Sequence, residues 1–182
     1  MNQHEHAGCF EAAPVGVAWK LYPPRLDPLR HELFIDNDLI LLRRIKEIDQ
    51  FLAGDCTLLL GETSRTYGRF DKFVPPGRCI NSGLFGVPPD FSIKNYVDLY
   101  VGSSWEHNAR AEHTKNVTFD EQGLVAFALL SYPRSVIIPA TSITNCEHHL
   151  VEGDGLHFIG LNRRVFHRPY RLYKCSHYKL FL

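Results

Sequence analysis

Apolar positions are densest across residues 123–141, GLVAFALLSYPRSVIIPAT, a run cut once by Tyr132-Pro133-Arg134-Ser135. Val125, Phe127 and Val136-Ile137-Ile138 are β-branched or aromatic and suit a pleated, packed surface. Pro133 lacks an N–H and clashes one turn back, so no single helix runs through the stretch. Each half is short for a buried helix. The pattern therefore predicts two central strands, residues 124–131 and 135–138, turned at Pro133.

A second periodicity precedes it. Leu41, Ile45, Ile48 and Leu52 recur at helical spacing, with Arg43, Arg44, Lys46, Glu47 and Gln50 on the other face. This predicts an amphipathic helix over residues 39–53. Asp36 or Asn37 is the expected N-cap and Gly54 the expected left-handed exit. Residues 56–60 read as a short apolar strand. Residues 78–87, bracketed by Pro75-Pro76 and Pro88-Pro89 and containing Asn81-Ser82-Gly83, read as an ordered loop over the core. Asp90 is the expected start of a short helix, and residues 105–122 are the expected polar surface connection. Glu152-Gly153-Asp154-Gly155 is a turn signal that predicts a hairpin strand over residues 156–161.

Residues 1–28 carry Pro14, Pro23, Pro24 and Pro28 and little periodicity, apart from a strand-like run at 15–22. They are expected to be loosely structured. Residues 29–182 are expected to form a single α+β domain, a mostly antiparallel sheet with the one amphipathic helix packed across it.

Composition narrows the picture in two ways. The 182 residues hold 20 basic and 20 acidic side chains, so bulk charge points to no polyanionic partner. The five cysteines are odd in number and scattered, which favours reduced thiols in a cytoplasmic or nuclear setting. No membrane span is expected, because Pro133 breaks the longest apolar run, and no secretory leader is expected at residues 1–30.

Three constellations could carry chemistry. Cys146 with His148 and Cys175 with His177 are pairs spaced two apart, which a strand projects from one face. Zinc would need the two pairs to converge. The hairpin reading instead keeps them apart, so no metal centre is expected there, nor at His4, His6 and Cys9. Arg163, Arg164, Arg168, Arg171, Lys174 and Lys179 interleave with Phe166, Tyr170, Tyr173 and Tyr178, a mix that holds phosphates and stacks bases. That defines a nucleic-acid or anion-binding alternative for the C-terminus. Glu62, Asp90, Asp98, Glu106, Asp120 and Glu121 supply carboxylates for acid–base work at a glycosidic bond. There is no G-x-S-x-G, no phosphate-binding glycine loop and no H-E-x-x-H, and no cofactor is expected.

The run from Phe127 to Ile137, FALLSYPRSVI, resembles the apolar-Ser-aromatic-Pro-apolar segment of RolC-type proteins of the plast family, carried on DNA that plant-tumour bacteria transfer into host cells. Leu58-Leu59-Leu60-Gly61-Glu62, the following Arg/Tyr stretch and Pro88-Pro89 resemble the middle of RolB-type relatives. The resemblance spans residues 39–138 and contains no catalytic signature. It implies an effector in the host cytoplasm or nucleus that modulates plant growth and hormone response, with a host protein or hormone conjugate as its partner. It also implies glucosidase-like or ADP-ribosyltransferase-like chemistry, for which Arg65, Ser64 (or Thr63) and Glu106 are the matching candidates. The acidic tracts of some relatives are absent. The alternative is a non-enzymatic binding module that uses the basic aromatic C-terminus.

Overall fold

A computed structural model describes Lys20 and residues 25–100, 119–145 and 153–158. Along the chain run β1 (Glu32–Ile35), β2 (Leu39–Leu41), α1 (Lys46–Ala53), β3 (Thr57–Gly61), a 3-10 helix (Gly68–Phe73) and β4 (Ile80–Val87). Then follow α2 (Ile93–Tyr100), α3 (Asp120–Leu130), β5 (Ser135–Ile138), β6 (Ile143–Asn145) and β7 (Gly155–His157). The architecture is α+β. Four strands form one sheet in the order β1-β4-β3-β5, and three form another in the order β2-β7-β6. Antiparallel pairings join β1 to β4, β4 to β3 and β2 to β7, while β3–β5 and β6–β7 are parallel.

Both faces of the larger sheet are covered, which explains why Leu58-Leu59-Leu60 is apolar without alternation. Leu59 and Phe85 pack with Leu124, Val125 and Leu129 of α3 and with Phe70 of the 3-10 helix. Leu58, Leu60, Leu84 and Ile138 face the other way, onto Phe51 of α1, Ile45 and Ile143. The sheet is thus the middle layer, with α1 and α3 on opposite sides.

The structure corrects several expectations. Residues 124–131 are not a strand: they continue a helix that begins at Asp120. Asp120 and Glu121 complement the positive end of the helix dipole, and Pro133 lies beyond the helix end instead of dividing two strands. The helix is buried nearly all round, so it carries no 3.6-residue stripe to betray it. The sheet is centred on β3 and β4, and residues 78–87 supply its longest strand in place of the expected loop.

Residues 39–53 divide into a strand and a helix. Leu42 N–H and Arg43 N–H both donate to Asp154 O, at 2.8 and 3.0 Å, which holds this stretch beside the second sheet until Ile45. Asp36 therefore caps no helix, and Gly54 leaves α1 with φ −125° and ψ 162°, extended and not left-handed. Asp90 sits at φ 60° ahead of α2, which starts at Ile93. The turn before Gly155 is present, but β7 joins β6 in parallel. Of the residues at 105–122 expected on the surface, Asp120, Glu121 and Gln122 are buried. Apart from Lys20, the strand-like run at 15–22 lies outside the described residues.

Candidate functional site

Backbone pairing brings distant polar residues to one end of the larger sheet. Ile35 stands opposite Leu84 in the β1–β4 ladder, and just past it Asp36 N–H donates to Gly83 O at 2.8 Å. The β1–β2 turn, with Asp36 and Asp38, is thereby laid beside Asn81-Ser82-Gly83. Leu39 stands opposite His157 in the β2–β7 ladder, and Phe158 N–H donates to Asp38 O at 2.9 Å, so His157 arrives at the same place. The first turn of α3 adds Glu121 and Gln122 from the layer beneath.

Lys20 ties these together. Its Nζ donates to Asp36 Oδ2 at 2.8 Å and to Ser82 Oγ at 3.4 Å, and lies 3.7 Å from Glu121 Oε1. Ser82 Oγ–H donates to Glu121 Oε1 at 3.0 Å. Ser82 N–H donates to Gln122 Oε1 at 3.3 Å, and Gln122 Nε2 in turn donates to Thr66 O and Thr66 Oγ1, both at 2.8 Å. On the other side Asn81 Nδ2 donates to Glu62 Oε2 at 3.2 Å, and Asn81 Oδ1 accepts from Gly83 N–H at 2.6 Å. Gly83 is where the close approach is made. A Cβ there would stand 2.5 Å from His157 Cε1 and 2.8 Å from its Nε2, so a side chain on this strand would expel the imidazole.

The charge is unbalanced. Asp36, Asp38, Glu62 and Glu121 supply four carboxyl groups, against Lys20 as the one ammonium among the described residues of the cluster. Burial pushes the Glu121 carboxyl above the usual carboxylate range, opposed by Lys20 and by the Ser82 hydrogen bond. Burial also pushes His157 down, against the pull of Asp38 and Asp36, which favours the neutral imidazole. A buried carboxyl with a raised pKa, a second carboxyl, an amine and a hydroxyl within one network are the parts of an acid–base centre.

The residues expected to act are distributed differently. Ser64 and Thr63 are exposed. Arg65 makes five hydrogen bonds, to Asp71 Oδ1 and to the carbonyls of Asp71, Val74, Pro75 and Arg78, so its guanidinium clasps the 71–78 segment. Glu106 lies outside the described residues, as do Arg163, Arg164, Arg168, Arg171 and Lys174 and the Cys146, His148, Cys175 and His177 set. Of the carboxylate group, Glu62 and Glu121 reach the cluster, Asp90 and Asp98 lie before and on α2, and Asp120 heads α3. Lys20, Asp36, Asp38, Ser82 and Gln122 were not legible as site residues. One signal was present: Asn81-Ser82-Gly83 is a polar triplet inside an apolar strand, which an ordinary core strand does not carry.

The chain matches no protein-family model and no curated protein.

Proposed function

We propose that this protein is an acid–base enzyme acting at an anomeric carbon, cleaving or transferring a glycosidic bond at the Lys20–Asp36–Ser82–Glu121 cluster. The observation that carries the proposal is Glu121, a buried glutamate whose pKa desolvation pushes up, set in one network with Asp36 through Lys20. Glu121 is the proton donor to the departing oxygen of a glucoside, whereas nicotinamide, cationic while bound, leaves neutral without a proton; in both cases water or an acceptor bonds to the anomeric carbon. Ser82 and Lys20 orient Glu121, and Lys20 stabilises its carboxylate after the proton has left. The surplus of carboxylates suits the positive charge that develops on the sugar ring as the bond breaks. Glucoside hydrolysis and ADP-ribosyl transfer share that transition state, so the plast resemblance enters as the choice of first substrates: glucosides of plant hormones, in a host-cell setting, and a nicotinamide dinucleotide.

The test is turnover of an aryl glucoside, a hormone glucoside and a nicotinamide dinucleotide by the purified chain. Glu121→Gln should lower kcat/KM on the glucosides by about 10²–10⁴ while leaving a cooperative melt. Wild-type activity should fall as pH rises through the folded pKa of Glu121, because its neighbours Lys20, Ser82 and Asp36 then surround a carboxylate with no proton to give. Glucoside turnover undiminished in Glu121→Gln, or turnover absent from the wild type on every substrate, overturns the proposal.

A further inference from the structure

His157 is 4% exposed, and its Nδ1 has no hydrogen-bond partner among the described residues. Its Nε2 stands 3.6 Å from Asp38 Oδ1, a buried oxygen that also lacks a hydrogen-bond partner among the described residues. Burying polar atoms without partners costs about 1–3 kcal/mol each, and two such atoms on a pair of neighbouring side chains need a reason. One donor atom each from Asp36, Asp38 and His157 lie within 4.8 Å of one another. Metal–oxygen and metal–nitrogen bonds of about 2.0–2.2 Å place the donors of one ion roughly 3–3.5 Å apart. The three would close by about an ångström, and Asp36 and Asp38, on the β1–β2 turn, are partly exposed and positioned to move that far.

We propose that Asp36, Asp38 and His157 bind one divalent first-row transition-metal ion. Two carboxylates with one imidazole are a mixed oxygen–nitrogen set that suits Zn²⁺ or Mn²⁺ better than an all-oxygen cation such as Ca²⁺. The ion takes up the excess negative charge that Lys20 leaves unbalanced, and it supplies the partner that Asp38 Oδ1 lacks among the described residues. Three protein ligands leave further positions open for water or an exogenous group. Gly83 is then necessary to the centre, since any larger residue would push the imidazole off its position. The site shares Asp36 with the acid–base cluster but does not use the proton donor Glu121, so it stands without that proposal.

The full chain, stripped with chelator, should bind one equivalent of Zn²⁺ or Mn²⁺ by calorimetry and gain several degrees in Tm. Co²⁺ should give a visible d–d spectrum. Asp38→Asn, isosteric and on a partly exposed turn, should weaken binding tenfold or more while melting like the stripped wild type. Glu121→Gln, which removes the proposed proton donor but none of the ligands, should bind metal as the wild type does. His157→Gln should also lose the site; where that variant fails to fold, Asp38→Asn alone decides. No calorimetric binding by the wild type, or equal binding by Asp38→Asn, overturns the assignment.

Discussion

Arg65 and Tyr67 show how single side chains fix a segment with no regular ladder. Arg65 Nη1 and Tyr67 Oη both donate to Arg78 O, at 2.9 and 3.0 Å, and the Arg65 guanidinium carbon lies 5.0 Å from the Tyr67 ring centroid. Tyr67 Oη also accepts from Ile80 N–H, which starts β4 in register. The phenol is buried, and burial pushes its pKa up to about 12. Tyr67→Phe strands the Ile80 N–H and should cost about 1–3 kcal/mol. Arg65→Met should cost a similar amount by leaving Val74 O and its neighbours unmet. Because both side chains serve Arg78 O, each single variant leaves it one donor, so the double variant should lose more than the two single losses combined, with a coupling of about 0.5–3 kcal/mol in urea melts. Strict additivity would show that the two act separately.

Among elements, legibility followed the covering of faces. β3 and β5 were readable because an apolar, β-branched run flanked by turn residues has few other fates. The α+β class followed from the same runs. α3 was not readable: a helix buried nearly all round has no polar stripe, and its polar residues Glu121 and Gln122 face into a buried network. β4 was hidden for a related reason, since glycine and polar residues in a central strand look like loop until their partners are known. Gly123 tests the α3 assignment directly. In an open helix, Gly→Ala gains about 1 kcal/mol. Here the added Cβ would lie 2.4 Å from Tyr67 O and 2.6 Å from Phe70 Cβ. A backbone oxygen and the base of a buried ring have little room to yield, and overpacking costs about 1–3 kcal/mol. The clash should win, so Gly123→Ala should melt below the wild type. An unchanged or higher Tm would mean that the 3-10 helix does not press on α3 as described.

For the whole molecule, the cluster at the sheet end joins Lys20, the β1–β2 turn, β4, α3 and β7, up to 137 positions apart between Lys20 and His157. Such convergence is set by strand order and register, which one sequence does not display, so of the six carboxylates that stand out in the sequence only Glu62 and Glu121 belong to the cluster. The cluster also leaves a signature in global stability. Glu121 has a folded pKa above its unfolded value, chiefly through burial. Below the unfolded value both states hold the proton, and its contribution is fully present. As pH rises past that value the unfolded chain releases the proton first, so stability falls until the folded pKa is passed. Other groups titrate as well, but they are common to the wild type and Glu121→Gln, which mimics the protonated form permanently. The two proteins should therefore melt alike in acid, and the glutamine variant should pull ahead as the pH climbs from the ordinary carboxylate range toward neutrality. The opposite trend, with the wild type gaining on the variant as pH rises, would mean that the Lys20 ion pair outweighs burial. Glu121 would then be an anchor for Lys20 instead of a held acid, and the proton-donor role assigned to it would fall.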